Sequence, residues 1–191
     1  MAGKKKLSDD FYEKIKSRLH QRIGRELRLA GRILDLGCGA CDLVQYLARA
    51  YRQKVTGIDI SDHTFPKRRH TSDGRRFQCI RKNAKQLSFV KSASVDAVVS
   101  MWAFHEMEHP ETILAEARRS LRPGGELLIV DFPKNSLAQK LWDERYYQPE
   151  ELGRLLKKIE FKAIRVRLIE QKQIIWARGF RPPATSPSEP K

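Results

Sequence analysis

Two aspartates flank a run of small residues in the segment ILDLGCGACDLVQYLA, residues 33–48. Gly37 and Gly39 permit the tight turn that lets a ligand approach the backbone. The dinucleotide pattern G-x-G-x-x-G is incomplete here, because its third glycine position is Asp42. Asp35 adds negative charge before the turn, and a negative field repels a diphosphate. The spacing therefore favours a nucleoside ligand that carries positive charge instead of phosphate.

S-adenosylmethionine fits this description, since its sulfonium and α-ammonium groups are cationic while its adenosine still needs a ribose acceptor. Asp59 ends the predicted strand GIDI, 20 residues beyond Gly39. That offset is typical of the acidic residue that binds ribose hydroxyls in nucleotide-binding βαβ units. A plainer interpretation is that Asp35 and Asp42 only cap local backbone, because aspartate is favoured in the first turn of a helix. The loop alone leaves both interpretations open.

Composition sets broader limits. The 191 residues fit one domain, and no apolar stretch approaches the ~20 residues that cross a bilayer. The segment after the basic residues 1–6 lacks the apolar core of a signal peptide, so we expect a cytoplasmic protein. The formal net charge of +15 suggests attraction to polyanions or acidic small molecules, although a highly solvated surface explains it equally simply.

The cysteines and histidines raise the question of a metal or a thiol pair. The chain has three cysteines, Cys38, Cys41 and Cys79. An odd number forms no even disulfide framework, and we expect reduced thiols. Zinc ligation by His105, His109 and the C-x-x-C pair is a further possibility. We expect no metal, because small side chains in the loop explain the cysteines and Pro110 keeps His109 at the entrance of a helix.

Strand-like and helix-like segments alternate along the chain, which predicts a parallel sheet covered by helices on both faces. Residues 8–29 show helical spacing, residues 62–74 indicate a short helix and loop, and the third strand is expected to end at Asn83. A later helix should stop at Pro123–Gly125, ahead of the strand ELLIVDFP. The segments 162–169 and 172–179 suggest an antiparallel pair.

These elements predict a single-domain α/β fold: a Rossmann-like, doubly wound, mostly parallel seven-stranded sheet with a C-terminal antiparallel strand pair. We divide the chain into an N-terminal helical segment over residues 1–30, a main domain over 31–180 and a disordered tail over 181–191. The tail is rich in proline and serine, a composition that disfavours a packed core.

Several ordered motifs resemble the class I S-adenosylmethionine-dependent methyltransferases, and specifically the type 11 group that includes ubiquinone and menaquinone methyltransferases. The resemblance covers residues 31–132 and rests on LDLGCGACDL, on GIDIS and on the long segment from NAKQLSF to LLIVDF. It implies a methyltransferase domain over 31–180, S-adenosylmethionine as cofactor and a small-molecule methyl acceptor.

The resemblance also implies residue roles. The methionine end of the cofactor would lie along Asp35, Gly37, Cys38 and Gly39, Asp59 would hold the ribose, and Ile60 would pack on the adenine. The adenine edge would meet Asn83 and Ala84, with Ser100 and Met101 bordering the cofactor. The family usually has aspartate at position 83, but the carbonyl of an amide also accepts a hydrogen bond from the purine amino group.

Methyl transfer is an in-line displacement that depends mainly on alignment, so no dedicated base is compulsory. His105 follows the fourth predicted strand beside the expected methyl and is our candidate for a proton acceptor. A role in shape alone is the alternative for His105. Tyr146 and Tyr147 are candidates for lining the acceptor pocket or for packing a loop.

RNA is the second candidate acceptor. The segment 67–85 contains eight basic residues, namely Lys67, Arg68, Arg69, Arg75, Arg76, Arg81, Lys82 and Lys85. Such a cluster attracts nucleic acid, although a solvated flank is the simpler interpretation. The GCGAC loop also resembles that of nucleolar ribosomal-RNA base methyltransferases. A non-catalytic module that binds the cofactor or RNA is the third hypothesis.

Overall fold

The computed structural model describes residues 7–70 and 76–183. The helices in these ranges are α1 (Phe11–Glu26), α2 (Asp42–Ala50), α3 (Pro110–Ser120), α4 (Leu137–Trp142) and α5 (Pro149–Lys158). The strands are β1 (Arg32–Leu36), β2 (Lys54–Asp59), β3 (Phe77–Arg81), β4 (Val95–Met101), β5 (Leu121–Asp131), β6 (Lys162–Ile169) and β7 (Ile174–Phe180). No helix in the described ranges is long and apolar enough to cross a membrane.

The strands form one sheet in the order β3-β2-β1-β4-β5-β7-β6. Strands β1 to β5 run parallel, and β7 pairs antiparallel with both β5 and β6. The strand order reverses between β1 and β4, and ligands of such sheets bind beyond the carboxyl ends of the strands at this switch point. The predicted Rossmann-like, mostly parallel seven-stranded sheet with its C-terminal antiparallel pair is therefore confirmed.

The apolar core forms one layer on each face of the sheet. Neighbouring residues of β1 point to opposite faces, so that Ile33 packs with α1 and α2 while Leu34 packs with α3 and α5. Leu19 and Ile23 of α1 are completely buried in the first layer. The first helix therefore shares its core with the sheet. The boundaries that we placed at residues 30 and 180 remain predictions.

The sequence misplaced several element ends. Helix α3 ends at Ser120, and β5 already begins at Leu121, so that Pro123–Gly125 lies within the strand instead of before it. Main-chain pairing with Arg181 explains this, because Gly124 N–H donates to the Arg181 carbonyl and Arg181 N–H donates to the Gly125 carbonyl. Strand β3 ends at Arg81, short of the predicted Asn83.

Two other predicted segments lie partly outside the described residues. Residues 62–70 contain no helix, contrary to the expectation for 62–74, and residues 71–75 lie outside the described ranges. Of the predicted tail over 181–191, only 181–183 are described. The Arg181 guanidinium donates to the carbonyls of Arg118 and Arg119, which attaches the start of this segment to the end of α3.

The cysteines differ from the expectation of reduced thiols. The structure pairs Cys41 with Cys79 as a disulfide, with the two Cα atoms 6.7 Å apart, and leaves Cys38 as a free thiol. Cys41 immediately precedes α2 and Cys79 lies on β3, and the packing of α2 across the sheet brings them together. Their proximity is a tertiary feature, which the count of cysteines could not predict.

Candidate active site

The turn after β1 is held by main-chain hydrogen bonds. The N–H groups of Gly37 and Cys38 both donate to the Ile58 carbonyl of β2, at 2.9 and 3.0 Å. Gly37 has a φ of +72°, a conformation that side chains disfavour, and a Cβ atom on Gly37 would collide with the Cβ of Ala103. Glycine is therefore required at this position for two independent reasons.

Asp35 is a buried acid at the carboxyl end of β1. It lies between Gly57 of β2 and Val99 of β4 in the register of the sheet and is only 2% exposed. Its Oδ1 atom has no hydrogen-bond partner. Burial, followed by the negative charge of Asp59, raises the pKa of Asp35 to about 7. An ionised buried carboxylate without a partner is costly, and either a proton or a cationic ligand would remove that cost.

Asp59 ends β2 and is oriented by the adjacent backbone. The Gly39 N–H donates to its Oδ2 at 2.9 Å, and the Ser61 N–H donates to its Oδ1 at 3.1 Å. Each carboxylate oxygen keeps a lone pair that can accept a further hydrogen bond. Asp59 is therefore arranged to accept hydrogen bonds from a pair of hydroxyl groups.

A cavity of about 240 Å³, here called the strand-end cavity, opens at the carboxyl ends of β1, β2 and β3. Five of the predicted cofactor residues line it: Gly37, Asp59, Ile60, Asn83 and Ala84. The Ile60 side chain is 69% exposed, which is unusual for a large apolar residue and suits contact with a flat ligand. The structure therefore brings most of the predicted nucleoside site together.

The remaining predicted cofactor residues are not among those that line the strand-end cavity; they are Asp35, Cys38, Gly39, Ser100 and Met101. Ser100 and Met101 do not line the strand-end cavity: Ser100 is 1% exposed, and Met101 packs against the core layer of α1 and α2. The chain bends at Trp102, which has a φ of +58°, so that later residues reach the cavity instead. Cys38 is half-buried, and burial, followed by the charges of Asp35 and Asp59, raises the pKa of its thiol.

Sequence analysis missed the residues that complete this cavity after β4. The group consists of Ala103, Glu106, Met107, Glu108 and Ile113. Their position after the carboxyl end of a parallel strand was a usable signal, because such segments face the ligand edge of the sheet.

Asp42 does not act as the sequence suggested. It is the first residue of α2, and its Oδ2 accepts a hydrogen bond from Lys16 Nζ of α1 at 2.6 Å. Asp42 does not line the strand-end cavity. The negative field at the turn therefore comes from Asp35 and Asp59, whereas Asp42 pairs with the first helix.

His105 lies in a 3-10 turn, Phe104–Glu106, between two carboxylates. Its Nδ1 is 2.7 Å from Asp131 Oδ1, and its main-chain N–H donates to Asp131 Oδ2 at 2.8 Å. The Nε2 atom is 2.9 Å from Glu144 Oε2. Carboxylates only accept hydrogen bonds, so this geometry corresponds to an imidazolium that donates from both ring nitrogens.

The charges around His105 support this protonation state. Burial by itself lowers the pKa of His105, but the hydrogen bond and charge of Asp131, with Glu144 and Glu106, outweigh it and raise the pKa. The Asp131 side chain is 3% exposed, whereas that of Glu144 is 45% exposed. Asp131 is therefore the fixed partner of the imidazole, and Glu144 is the partner that an entering molecule can replace.

A larger cavity of about 570 Å³, here called the tyrosine cavity, adjoins the strand-end cavity through Met107 and Glu108. His105, Tyr146 and Tyr147 line it, so both candidate tyrosines reach a cavity. Two ligands bound in these cavities would meet near the 3-10 turn.

The side chains that could together hold a metal ion differ from those that the sequence suggested, which were His105, His109 and the C-x-x-C pair. The ligand atoms of His105, Glu106 and Glu144 lie within 4.8 Å of one another. A proton on His105 Nε2 already satisfies Glu144, so no cation is needed to explain the cluster. The expectation that the chain holds no metal stays a prediction.

Comparison with known proteins identifies the family. A family model described as a methyltransferase domain matches residues 34–129, which is half of the chain. This range includes the turn after β1 and the 3-10 turn, whose residues line both cavities. The chain belongs to the class I S-adenosylmethionine-dependent methyltransferases.

A curated relative of this methyltransferase is the phthiotriol/phenolphthiotriol dimycocerosates methyltransferase of Mycobacterium leprae, strain TN. It is 34% identical over 126 residues, which cover 63% of this chain and 46% of the relative. The chain therefore spans about half the length of the curated relatives that it matches.

Solved structures share the fold at low sequence identity. The cyclase SpnF has a TM-score of 0.76 and 17% identity, covering 96% of this chain and 86% of that one. A Burkholderia thailandensis 1,6-didemethyltoxoflavin-N1-methyltransferase, solved with bound 1,6-didemethyltoxoflavin and S-adenosylhomocysteine, has a TM-score of 0.68 and 17% identity, covering 91% of this chain and 84% of that one. A cyclase and a methyltransferase with one fold show that the fold alone does not decide the reaction.

We expect Gly37→Ala to abolish binding of S-adenosylhomocysteine to this methyltransferase, because the added Cβ collides with Ala103 at the edge of the strand-end cavity. Calorimetric titration measures the affinity. Gly124→Ala is the matched control: Gly124 has a similar φ of +75°, but nothing lies within 4 Å of its added Cβ. Equal affinity in the two variants would contradict the placement of the ligand against Gly37.

Cofactor affinity should rise with pH through the pKa of Asp35, about 7. The ionised carboxylate attracts the α-ammonium group, so affinity should fall about tenfold per pH unit below that pKa and level off above it. Calorimetry with S-adenosylhomocysteine between about pH 5 and about pH 9 measures this.

Asp35→Asn should flatten this profile and weaken binding at high pH. The same variant should be more stable than wild type above pH 7. Because the pKa of folded Asp35 is raised above 3.8, the stability of the wild type falls as pH rises from 3.8 to about 7. A wild-type affinity that is independent of pH would contradict the pairing of Asp35 with the ammonium group.

Proposed function

We propose that this methyltransferase transfers the methyl group of S-adenosylmethionine to a small-molecule acceptor by in-line displacement. The observation that carries the proposal is the buried Asp35 oxygen that lacks a hydrogen-bond partner, close enough to Asp59 for the two charges to repel. A ligand with a cationic group and ribose hydroxyls satisfies both acids. A diphosphate would add negative charge to a site that already holds two carboxylates.

The residues of the strand-end cavity fit this cofactor together with three neighbours that do not line it, Asp35, Cys38 and Gly39. Asp35 would accept hydrogen bonds from the α-ammonium group, and the turn from Gly37 to Gly39, including Cys38, would lie along the methionine end. Asp59 would hold the ribose hydroxyls. Exposed Ile60 would cover one face of the adenine, with Asn83 and Ala84 at its edge.

When bound, the cofactor supplies an electrophilic methyl group on a sulfonium leaving group. The protein's task is then to align the acceptor with that methyl group and to keep the reacting atoms close. The contact between the strand-end and tyrosine cavities at Met107 provides a place for the acceptor. We therefore assign the acceptor to the tyrosine cavity.

His105 is the proposed proton acceptor for a hydroxyl or amine substrate. Asp131 fixes the ring by binding Nδ1, so that Nε2 faces the exposed Glu144 carboxylate. A methyl acceptor would replace Glu144 as the hydrogen-bond partner of His105 Nε2. It would do so after the imidazolium has lost the proton on Nε2, so that this nitrogen is free to accept one. The acceptor proton then moves to Nε2, and Asp131 stabilises the imidazolium that forms.

We propose a small molecule as the methyl acceptor because similar proteins are named for such acceptors. A curated relative is named for phthiotriol dimycocerosates, and a protein of similar fold is named for 1,6-didemethyltoxoflavin. RNA is the alternative acceptor. The cytoplasmic location predicted from the sequence is part of the same proposal.

A screen of cell extract tests the function. Incubating the protein and methyl-labelled S-adenosylmethionine with extract should label an organic-soluble or water-soluble metabolite fraction, and Asp59→Ala should remove the label because the ribose loses its acceptor. Label in RNA would support the alternative acceptor. Cofactor binding without any labelled fraction would support the non-catalytic hypothesis and defeat the proposal.

His105→Gln should lower the methylation rate about 100-fold, the scale of general-base catalysis. In the wild type the rate should rise with pH and level off above the raised pKa of His105, because only the neutral imidazole accepts a proton. The variant should lose this pH dependence. His63→Gln is the matched control, since His63 is exposed and lines neither cavity. A full rate in His105→Gln at every pH would exclude the proton-acceptor role.

A further inference from the structure

The basic segment 67–85 does not form one surface in the folded protein. Lys82 and Lys85 line the strand-end cavity, and Arg69 pairs with Asp62 at 3.0 Å. Arg76 instead lies just before β3, at the opposite end of the sheet, and Arg75 lies outside the described residues. Any attraction to polyanions therefore depends on where basic side chains lie together in the folded protein, and not on this segment as a whole.

A groove of about 350 Å³ crosses the amino ends of β1, β2 and β3, at the edge of the sheet opposite the strand-end cavity. We call it the amino-end groove. Its cations are Arg32, Lys54, Arg76 and Lys91, and each of them is exposed. No carboxylate is among its lining residues in the described ranges. Among the described residues, the charged side chains that line this concave site are therefore all basic.

A smaller cavity of about 120 Å³ continues the positive surface. It shares Arg76 and Phe77 with the amino-end groove and adds Arg49 and Arg68. No carboxylate lines this cavity either, within the part of the chain that the structure describes. The two cavities together present six cations along one edge of the sheet.

The nearby acid Asp96 does not neutralise this surface. Its Oδ1 pairs with Arg122 at 2.9 Å. Its Oδ2 accepts hydrogen bonds from the main-chain N–H groups of Gly31 and Arg32, at 2.6 and 2.8 Å. Asp96 therefore contacts the main chain of Arg32, and Arg32 is among the residues that line the groove.

The groove also has apolar surface. Ile33, Val55 and Phe77 form part of its lining, and Phe89 contributes a ring that is 40% exposed. One exposed aromatic residue is too few for a row of stacked bases, so contacts with a phosphate backbone must dominate. Six cations in two connected cavities exceed what one phosphate group can engage, which favours an extended polyanion.

We propose that the amino-end groove binds the phosphodiester backbone of single-stranded RNA at a site separate from the methyl-transfer site. The parallel strands separate the two sites, since the groove lies at their amino ends and the strand-end cavity at their carboxyl ends. RNA bound there is a partner that holds the protein on a polyanion, and it need not be the methyl acceptor. The net charge of +15 supports such binding.

Fluorescence anisotropy with a labelled oligouridylate of about 20 nucleotides tests the proposal. Wild type should bind it, and the logarithm of affinity should fall with the logarithm of salt by about 0.7 per phosphate contact. The triple variant Arg32→Gln, Lys54→Gln, Lys91→Gln removes three cations, so its salt dependence should be less steep by about 2. Its affinity at about 0.1 M salt should be about 100-fold lower than that of the wild type.

The triple variant Lys157→Gln, Arg165→Gln, Arg167→Gln is the matched control. It removes the same charge from exposed positions on α5 and β6, and should bind the oligonucleotide nearly as wild type does. Thermal unfolding of both triple variants verifies that they fold. S-adenosylhomocysteine affinity should be unchanged in both, which separates this proposal from the proposed function.

Three outcomes would overturn the proposal. The first is a wild-type protein that does not bind the oligonucleotide, and the second is an equal loss of affinity in both triple variants. The third is binding only to vesicles of phosphatidylglycerol and phosphatidylcholine, which would assign the groove to an anionic lipid surface.

Discussion

The burial of Asp35 is the constraint on which the site depends. Strand β1 lies between β2 and β4, so an acid near its carboxyl end is shielded from water on both sides. Its unpartnered Oδ1 and the repulsion from Asp59 make the ionised form costly. Selection for stability alone would replace such a group, and a cationic ligand removes the cost. The binding site is thus a place where the fold gives up stability for recognition.

The two ends of the parallel strands carry opposite charge. Acids gather at the carboxyl ends, with Asp59 lining the strand-end cavity, Asp35 buried near the end of β1, and Asp131 and Glu144 around His105. Cations gather at the amino ends, along the amino-end groove. The proposed cofactor and the proposed polyanion would therefore bind at different edges of the same sheet, and neither would compete with the other.

The fold does not determine which reaction takes place, so the groups around His105 are important for the chemistry. A cyclase shares this architecture, so the reaction depends on what meets at the boundary of the strand-end and tyrosine cavities. There the imidazole is held at Nδ1 by a buried carboxylate, while the partner of Nε2 is half-exposed. This asymmetry gives the ring one fixed hydrogen bond and one exchangeable hydrogen bond, which suits the transfer of a proton from an entering substrate to the ring.

The sequence by itself determined the seven strands in their order along the chain, the glycine turn and the positions of Asp35 and Asp59, but it predicted a helix within 62–74 that residues 62–70 lack and did not predict α4. Local patterns carry this information, because alternation of strands and helices and the spacing from Gly39 to Asp59 depend on residues close in the chain. It gave no sign that the chain bends at Trp102, because that bend depends on packing, and the contact of Ser100 and Met101 with the cofactor stays a prediction.

Only the tertiary structure decided which charges meet. Asp42 turned out to pair with Lys16, and Asp131 and Glu144 came to opposite sides of His105 from distant parts of the chain. The disulfide partners and the amino-end groove likewise join separate elements. Electrostatic contacts of this kind depend on distances in space, and these distances are set by how the helices and strands pack, not by spacing in the sequence.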